Sequence, residues 1–243
     1  LYFGLVPELL AYLVMLAMFI AATFTDFEHR IIPDEISVGG MFAGLVLSMF
    51  LLGLHDTTVQ ELAIGRNIMR VLVAISLGVH LVEFLWTRKP FDREDWILLA
   101  VILGLFLSES VIAFLLAGPL SVSTHGLVPH LRSTDASLIG LLLGGGMIYV
   151  LGLIGDVIFR KESMGGGDVK LMALVGAFLG WQLAALTFFI APFVGAGYGV
   201  VEKIRTKDSA IAFGPFLVLG ALVSLFYGEA LIQWWLAWAG IVR

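Results

Sequence analysis

The chain is built from apolar runs of about twenty residues, the length that an α-helix needs to cross the hydrocarbon core of a membrane. Hydrophobic residues make up 60% of the 243 residues and charged residues only 14%, with a mean hydropathy of +1.01. A soluble domain of this length would carry roughly a quarter charged residues. The runs therefore predict an integral membrane protein with one helical domain.

Eight runs are candidate spans, so we expect an all-α, polytopic transmembrane bundle of about eight helices. They cover residues 6–24, 36–54, 68–86, 96–120, 137–159, 169–180, 181–201 and 211–227. The sixth run is short and meets the seventh between Gly180 and Trp181, so we expect it to pack inside the bundle. A last stretch, 230–241, holds three tryptophans and fits the membrane interface rather than a span.

The basic residues divide unevenly between the two sides of this bundle. Alternating the spans puts about ten lysines and arginines on one face and only Arg66, Arg70 and Arg132 on the other, and the richer face is expected to be cytoplasmic. Asp26, at the end of the first span, and Asp168, at the start of the sixth, then lie at the same cytoplasmic face.

Charge and cysteine content exclude several classes of function. The formal net charge is −5 and the sequence pI is about 5.5, which argues against a nucleic-acid partner. The chain has no cysteine, so disulfides, thiolate metal sites and cysteine catalysis are excluded. We expect no metal and no cofactor. Because the chain begins without an initiator methionine, we expect it to be a piece of a longer protein.

The two aspartates are the candidates for chemistry. Asp26 lies in "TFTDFEHRIIPDEIS" and Asp168 in "MGGGDVKLMALVGAFLGW". Each alone fits a helix end or an N-cap, but two converging carboxylates can do aspartic-protease chemistry, with one proton shared between them. Helix dipoles favour a charged Asp168 and a neutral Asp26, so our hypothesis makes Asp168 the resting base and Asp26 the resting acid.

Three glycines, Gly165, Gly166 and Gly167, precede Asp168 directly. Glycine adopts backbone angles closed to other residues and allows another chain to approach closely. We expect this active-site loop to let Asp168 reach Asp26 and to leave room for an extended substrate strand.

These residues resemble a known family. "DFEHRIIPDEI" and "MGGGDVKLMALVGAFLGW" are similar to the two signature stretches of bacterial type IV prepilin peptidases, membrane aspartic proteases of the GxGD type, and "AFGPFLVLGALVSLFYG" resembles their C-terminal stretch. The resemblance covers roughly residues 1–54 and 135–228. It implies that Asp26 and Asp168 are the catalytic pair and that Gly165 and Gly167 are the motif glycines. It also implies prepilin or pseudopilin substrates, whose short basic leader is removed at the cytoplasmic face of the bacterial inner membrane.

The sequence departs from that family in two places. Residues 56–134 are longer than the usual connection and predict a two-helix insertion within a single peptidase domain spanning 1–243. Many members also N-methylate the new pilin N-terminus and carry a zinc domain with paired CxxC motifs. With no cysteine, this chain lacks that domain and supports only the peptidase activity.

An acidic cluster surrounds the first aspartate and comprises Glu28, Asp34 and Glu35 beside Asp26. It is either a solvated loop or a surface that attracts the lysines and arginines of a leader peptide. Membrane lipid is the other expected partner, and the oligomeric state is open.

Two other functions compete with the peptidase. Asp168 at the start of a broken helix could be the protonation site of a proton-coupled transporter, or the polar residues could serve only packing in a noncatalytic scaffold. Other ionisable residues in the spans, His80, Glu83, Glu109 and Asp156, are costly in a membrane. We interpret His80 as paired with Glu83 or Glu109, and Lys170 as an anchor to lipid headgroups.

Overall fold

A computed structural model describes residues 6–55, 57–87, 100, 103–104, 106–108, 110–114, 128–159, 164–206 and 212–240. Within these ranges every regular element is helical and no strand occurs, which confirms the all-α prediction. The longer elements are α1 (Glu8–His29), α2 (Asp34–Phe50), a 3-10 turn (Leu52–Leu54), α3 (Val59–Thr87), α4 (Val128–Phe159), α5 (Gly166–Thr206) and α6 (Gly214–Trp238).

Five of these helices are long and apolar enough to cross a membrane: α1, the Val59–Val82 part of α3, α4, the Gly166–Tyr198 part of α5, and α6. The helix α2 has 17 residues and is shorter than a usual span. The predicted span 96–120, and with it most of the second helix of the predicted insertion, lies largely outside the described residues. The chain is therefore a multi-pass helical protein, and the count of about eight spans stays a prediction.

The predicted boundary between the sixth and seventh spans is a break inside one long helix. Gly180 in α5 has φ 78° and ψ 172°, a backbone conformation that only glycine adopts readily. Residues 171–180 before the break are all buried, as expected for a short segment packed inside the bundle. The carbonyl of Ala177 accepts hydrogen bonds from Ser137 Oγ at 2.7 Å and His55 Nε2 at 3.0 Å, which stabilise the end of this buried segment.

Close contact between glycines joins α4 to α5. A Cβ on Gly140 would collide with the carbonyl of Gly176, and a Cβ on Gly144 would collide with that of Met172. Small residues at helix crossings let the backbones approach in this way in membranes, and Gly140 and Gly144 have the i, i+4 spacing typical of such a crossing. This crossing holds α5, and therefore its first turn, in place.

The C-terminal tryptophans do not form a separate element. The stretch predicted as an interfacial segment, 230–241, is the continuation of α6 as far as Trp238. Trp234, Trp235 and Trp238 are exposed, which fits an aromatic belt at the end of a span. The hydropathy pattern misplaced the boundary because Gly228 and Glu229 interrupt the apolar run without breaking the helix.

The described part of the predicted insertion, α3, packs on α4. Leu62 and Met69 of α3 are buried against Ile139 and Leu143 of α4. An ion pair also joins these two helices. Arg66 of α3 contacts the fully buried Asp135 of α4, with Nη2 and Oδ2 2.9 Å apart. The insertion therefore begins on the outer side of α4.

Candidate active site

Asp26 lies in the last turn of α1 and faces the protein. It is only 6% exposed, whereas Phe27, Glu28 and His29 after it are exposed. The helix ends at Arg30, which has φ 55° and donates its N–H to the carbonyl of Asp26 at 2.9 Å. A residue in this left-handed conformation commonly terminates a helix. The sequence after Asp26 thus turns the chain back toward α2.

Asp168 lies in the first turn of α5. Its N–H donates to the carbonyl of Gly165 at 3.1 Å, and the residue is half-buried. Its carboxyl group interacts electrostatically with that of Asp26. The end of α1 and the start of α5 therefore bring together the two carboxylates that the sequence singled out.

A third helix end meets this pair. The backbone N–H of Gly214, the first residue of α6, donates to Oδ2 of Asp26 at 3.0 Å, and the bond is buried. The sequence pattern indicates no role for Gly214, although this residue lies in the "AFGPF" stretch that resembles the prepilin peptidases. That stretch was the available signal, but only the packing of α6 against α1 identifies the contact.

The glycine loop differs in detail from the prediction. None of Gly165, Gly166 and Gly167 has a positive φ, so the loop does not use angles closed to other residues. Another part of the chain does lie close to Gly167, because a Cβ there would be 3.4 Å from Cβ of Ile32. A Cβ on Gly166 would meet nothing within 4 Å. Gly167 is thus packed, and Gly166 faces open space.

The acidic cluster is exposed, but its members differ in their partners. Asp34 forms an ion pair with Lys170, and Glu28 lies beside His29 with Oε2 and Nε2 3.7 Å apart. Asp34 is the first residue of α2, where Pro33 rather than Asp34 takes the N-cap position. The ammonium group of Lys170 contacts Asp34, and its interpretation as a lipid anchor stays a prediction.

The polar residues of the spans are placed differently from the sequence interpretation. His80 Nε2 lies 2.8 Å from the hydroxyl of Tyr149 on α4, so its near partner is a tyrosine that hydropathy did not single out. The side chain of Glu83 and all of Glu109 lie outside the described residues. Asp156 is half-buried near the end of α4.

The part of the chain that carries Asp168 is similar to a known protein family. Residues 114–200 match the type IV leader peptidase family. The match includes the glycine loop and Asp168, whereas Asp26 and Gly214 lie outside it.

The chain is similar to curated proteins named "Prepilin leader peptidase/N-methyltransferase", among them proteins of three species. The Pseudomonas aeruginosa protein is 34% identical over 111 residues, covering 44% of this chain and 38% of the relative. The Legionella pneumophila protein is 33% identical over 120 residues, covering 46% and 42%. The Escherichia coli K12 protein is 37% identical over 90 residues, covering 36% and 40%.

These matches confirm the resemblance to prepilin peptidases. The aligned part of the chain spans about two fifths of the length of each of these relatives. No solved structure matches the chain significantly.

Proposed function

We propose that the chain is a membrane aspartic endopeptidase that removes the short basic leader of type IV prepilins or pseudopilins, with Asp26 and Asp168 as the catalytic pair. The observation that carries the proposal is that these carboxylates, which come from helices distant in sequence, lie close enough to interact electrostatically. The family match to residues 114–200 and the names of the relatives support the substrate class.

The chemistry follows from two adjacent carboxyl groups that share one proton. The ionised group accepts a proton from water, and the water oxygen bonds to the carbonyl carbon of the scissile peptide. The protonated group donates its proton to the carbonyl oxygen, which gives a neutral tetrahedral diol. When the C–N bond breaks, the carboxyl that gained the water proton passes it to the leaving nitrogen, and the diol returns its proton to the other carboxylate. The assignment of Asp168 as resting base and Asp26 as resting acid stays a prediction.

The proposed site opens at the cytoplasmic face of a bacterial inner membrane. The uneven distribution of lysine and arginine supports this orientation. The exposed Glu28, Asp34 and Glu35 surround the end of α1, where a basic leader would approach. The site needs no cofactor in this mechanism, because both proton transfers use carboxyl groups of the chain.

The N-methyltransferase activity in the relatives' names is not part of the proposal. The chain has no cysteine and spans less than half of each relative described above. A proton-coupled transporter with Asp168 as protonation site, the alternative from the sequence, has no support in these relatives, which are named as peptidases.

The test is cleavage of a purified prepilin by the protein in detergent or liposomes. Asp26→Asn and Asp168→Asn should each abolish cleavage, because neither amide can transfer the required proton. Glu229→Gln is the control, since Glu229 is an exposed carboxylate near the other end of α6. Cleavage that survives either aspartate substitution would falsify the proposed pair.

A further inference from the structure

The first turn of α6 has few free amide donors. Pro215 has no N–H, and the N–H groups of Phe216 and Leu217 donate to the carbonyl of Phe213 at 3.0 Å and 3.2 Å. Gly214 carries one of the N–H groups that a helix leaves without a partner at its N-terminus. That N–H donates to Oδ2 of Asp26. The helix thus directs one specific donor at one specific carboxylate oxygen.

The residue at this position has to be small. A Cβ on Gly214 would lie 2.6 Å from Oδ2 and 3.2 Å from Cγ of Asp26, and 3.2 Å from Cδ1 of Ile32. Real Cβ atoms essentially never lie within 3.0 Å of another heavy atom. Ile32 is buried and also packs against Gly167, so it occupies the space between the start of α6 and the glycine loop. Asp26 therefore has little room to move aside.

We propose that Gly214 is a positioning residue for Asp26, whose amide fixes Oδ2 and leaves Oδ1 as the oxygen that shares the proton of the pair. The inference rests on the proposed peptidase function for its catalytic meaning. An N–H group donates, and in a protonated carboxyl the carbonyl oxygen is a stronger acceptor than the hydroxyl oxygen. When the shared proton resides on Asp26, it is therefore on Oδ1. A fixed orientation of this kind keeps a catalytic group in its productive geometry.

The kinetic test uses Gly214→Ala, with Gly39→Ala as the matched control. A Cβ on Gly39 in α2 would meet nothing within 4 Å. We expect Gly214→Ala to lower kcat by on the order of 10- to 100-fold, because a catalytic group moves by a fraction of an ångström or more. KM should change little, the pH dependence of kcat should shift, and circular dichroism should show the variant folded. Gly39→Ala should keep the wild-type kcat and pH profile.

A double variant separates positioning from simple crowding. Ile32→Val removes Cδ1 and relieves the contact that a Cβ on Gly214 would make there, but it leaves the contact with Asp26. We expect Ile32→Val combined with Gly214→Ala to stay as slow as Gly214→Ala alone. Recovery of kcat in the double variant would show that the loss came from packing against Ile32, and it would overturn the positioning role.

A spectroscopic readout tests the contact without any cleavage assay. In protein labelled with ¹⁵N-glycine, the amide resonance of Gly214 is the one lost in Gly214→Ala. Asp26→Asn should move this resonance, whereas Glu229→Gln should not. An unmoved resonance, or wild-type kcat and pH profile in Gly214→Ala, would refute the inference. If wild-type protein cleaves no prepilin but the resonance still responds to Asp26→Asn, the proposed function fails while the contact stands.

Discussion

Asp34 at the start of α2 and Lys170 near the start of α5 form an ion pair, with Oδ1 and Nζ 2.6 Å apart. The pair links the segment that follows Asp26 to the helix that carries Asp168. Both side chains are well exposed, at 65% and 40%, so the pair contributes at most about 1 kcal/mol to stability. The main consequence of the pair is electrostatic, because the positive charge of Lys170 already offsets the negative charge of Asp34.

We therefore predict that the acidic residues contribute unequally to leader binding. Glu28→Lys and Glu35→Lys should raise KM for a basic leader by roughly threefold to tenfold each at low salt, as expected for exposed charges worth up to about 1 kcal/mol. Asp34→Asn should have a smaller effect, and kcat should be nearly unchanged. The effect should shrink as salt screens the charges.

The control for this prediction is Glu229→Lys, which reverses an exposed charge near the other end of α6. KM should be the same in this variant as in the wild type. An unchanged KM in Glu28→Lys and Glu35→Lys would show that the cluster is an ordinary solvated loop and does not bind the leader.

The glycine loop supports a second prediction. Gly167→Val should lower kcat/KM by on the order of 100-fold or more, because its side chain would press on Ile32 beside Asp26 and displace Asp168. Gly166→Val should lower kcat/KM less, since a Cβ there would meet nothing within 4 Å. Circular dichroism should show both variants folded. Equal activity of the two variants would mean that close packing at Gly167 has no role.

The sequence could predict that Asp26 and Asp168 lie near each other. The apolar runs give the positions of the helix ends, and the distribution of basic residues indicates that both ends lie on one face. Contacts such as Gly214 with Asp26 and Lys170 with Asp34 depend on how distant helices pack, which no local pattern encodes. Hydropathy also could not show whether Gly180 separates two helices or breaks one, because the apolar run is the same in both cases. The i, i+4 spacing of Gly140 and Gly144 in α4 does indicate close packing from sequence alone, since a glycine stripe has few other uses in a membrane helix.

A third prediction concerns the crossing of α4 and α5. Gly140→Ala should destabilise the protein by about 1–3 kcal/mol, because its methyl group would collide with the carbonyl of Gly176 and push the helices apart. Gly78→Ala in α3 is the matched control, as that position is exposed and open. It should be neutral or stabilising by up to about 1 kcal/mol. Thermal unfolding in detergent measures both, and equal melting temperatures would exclude a tight crossing.

The last prediction concerns His55, which lies between α2 and α3 outside the candidate spans. The ring is buried, and Nε2 donates to the carbonyl of Ala177. Burial lowers the pKa of His55 from 6.5 to about 4. Between these values the unfolded chain binds a proton that the folded chain does not bind. The free energy of unfolding should therefore fall as the pH decreases from about 6.5 toward 4.

His55→Gln keeps an N–H donor but cannot bind that proton. Its melting temperature should be somewhat lower than that of the wild type at pH 7, and it should fall less steeply between pH 7 and pH 4.5. His29→Gln, at an exposed position, should keep the wild-type slope. Because the carboxylates contribute the same acid sensitivity to all three proteins, the difference in slope reports His55. Parallel curves for His55→Gln and the wild type would show that His55 is already protonated in the folded protein or that burial does not hold it neutral.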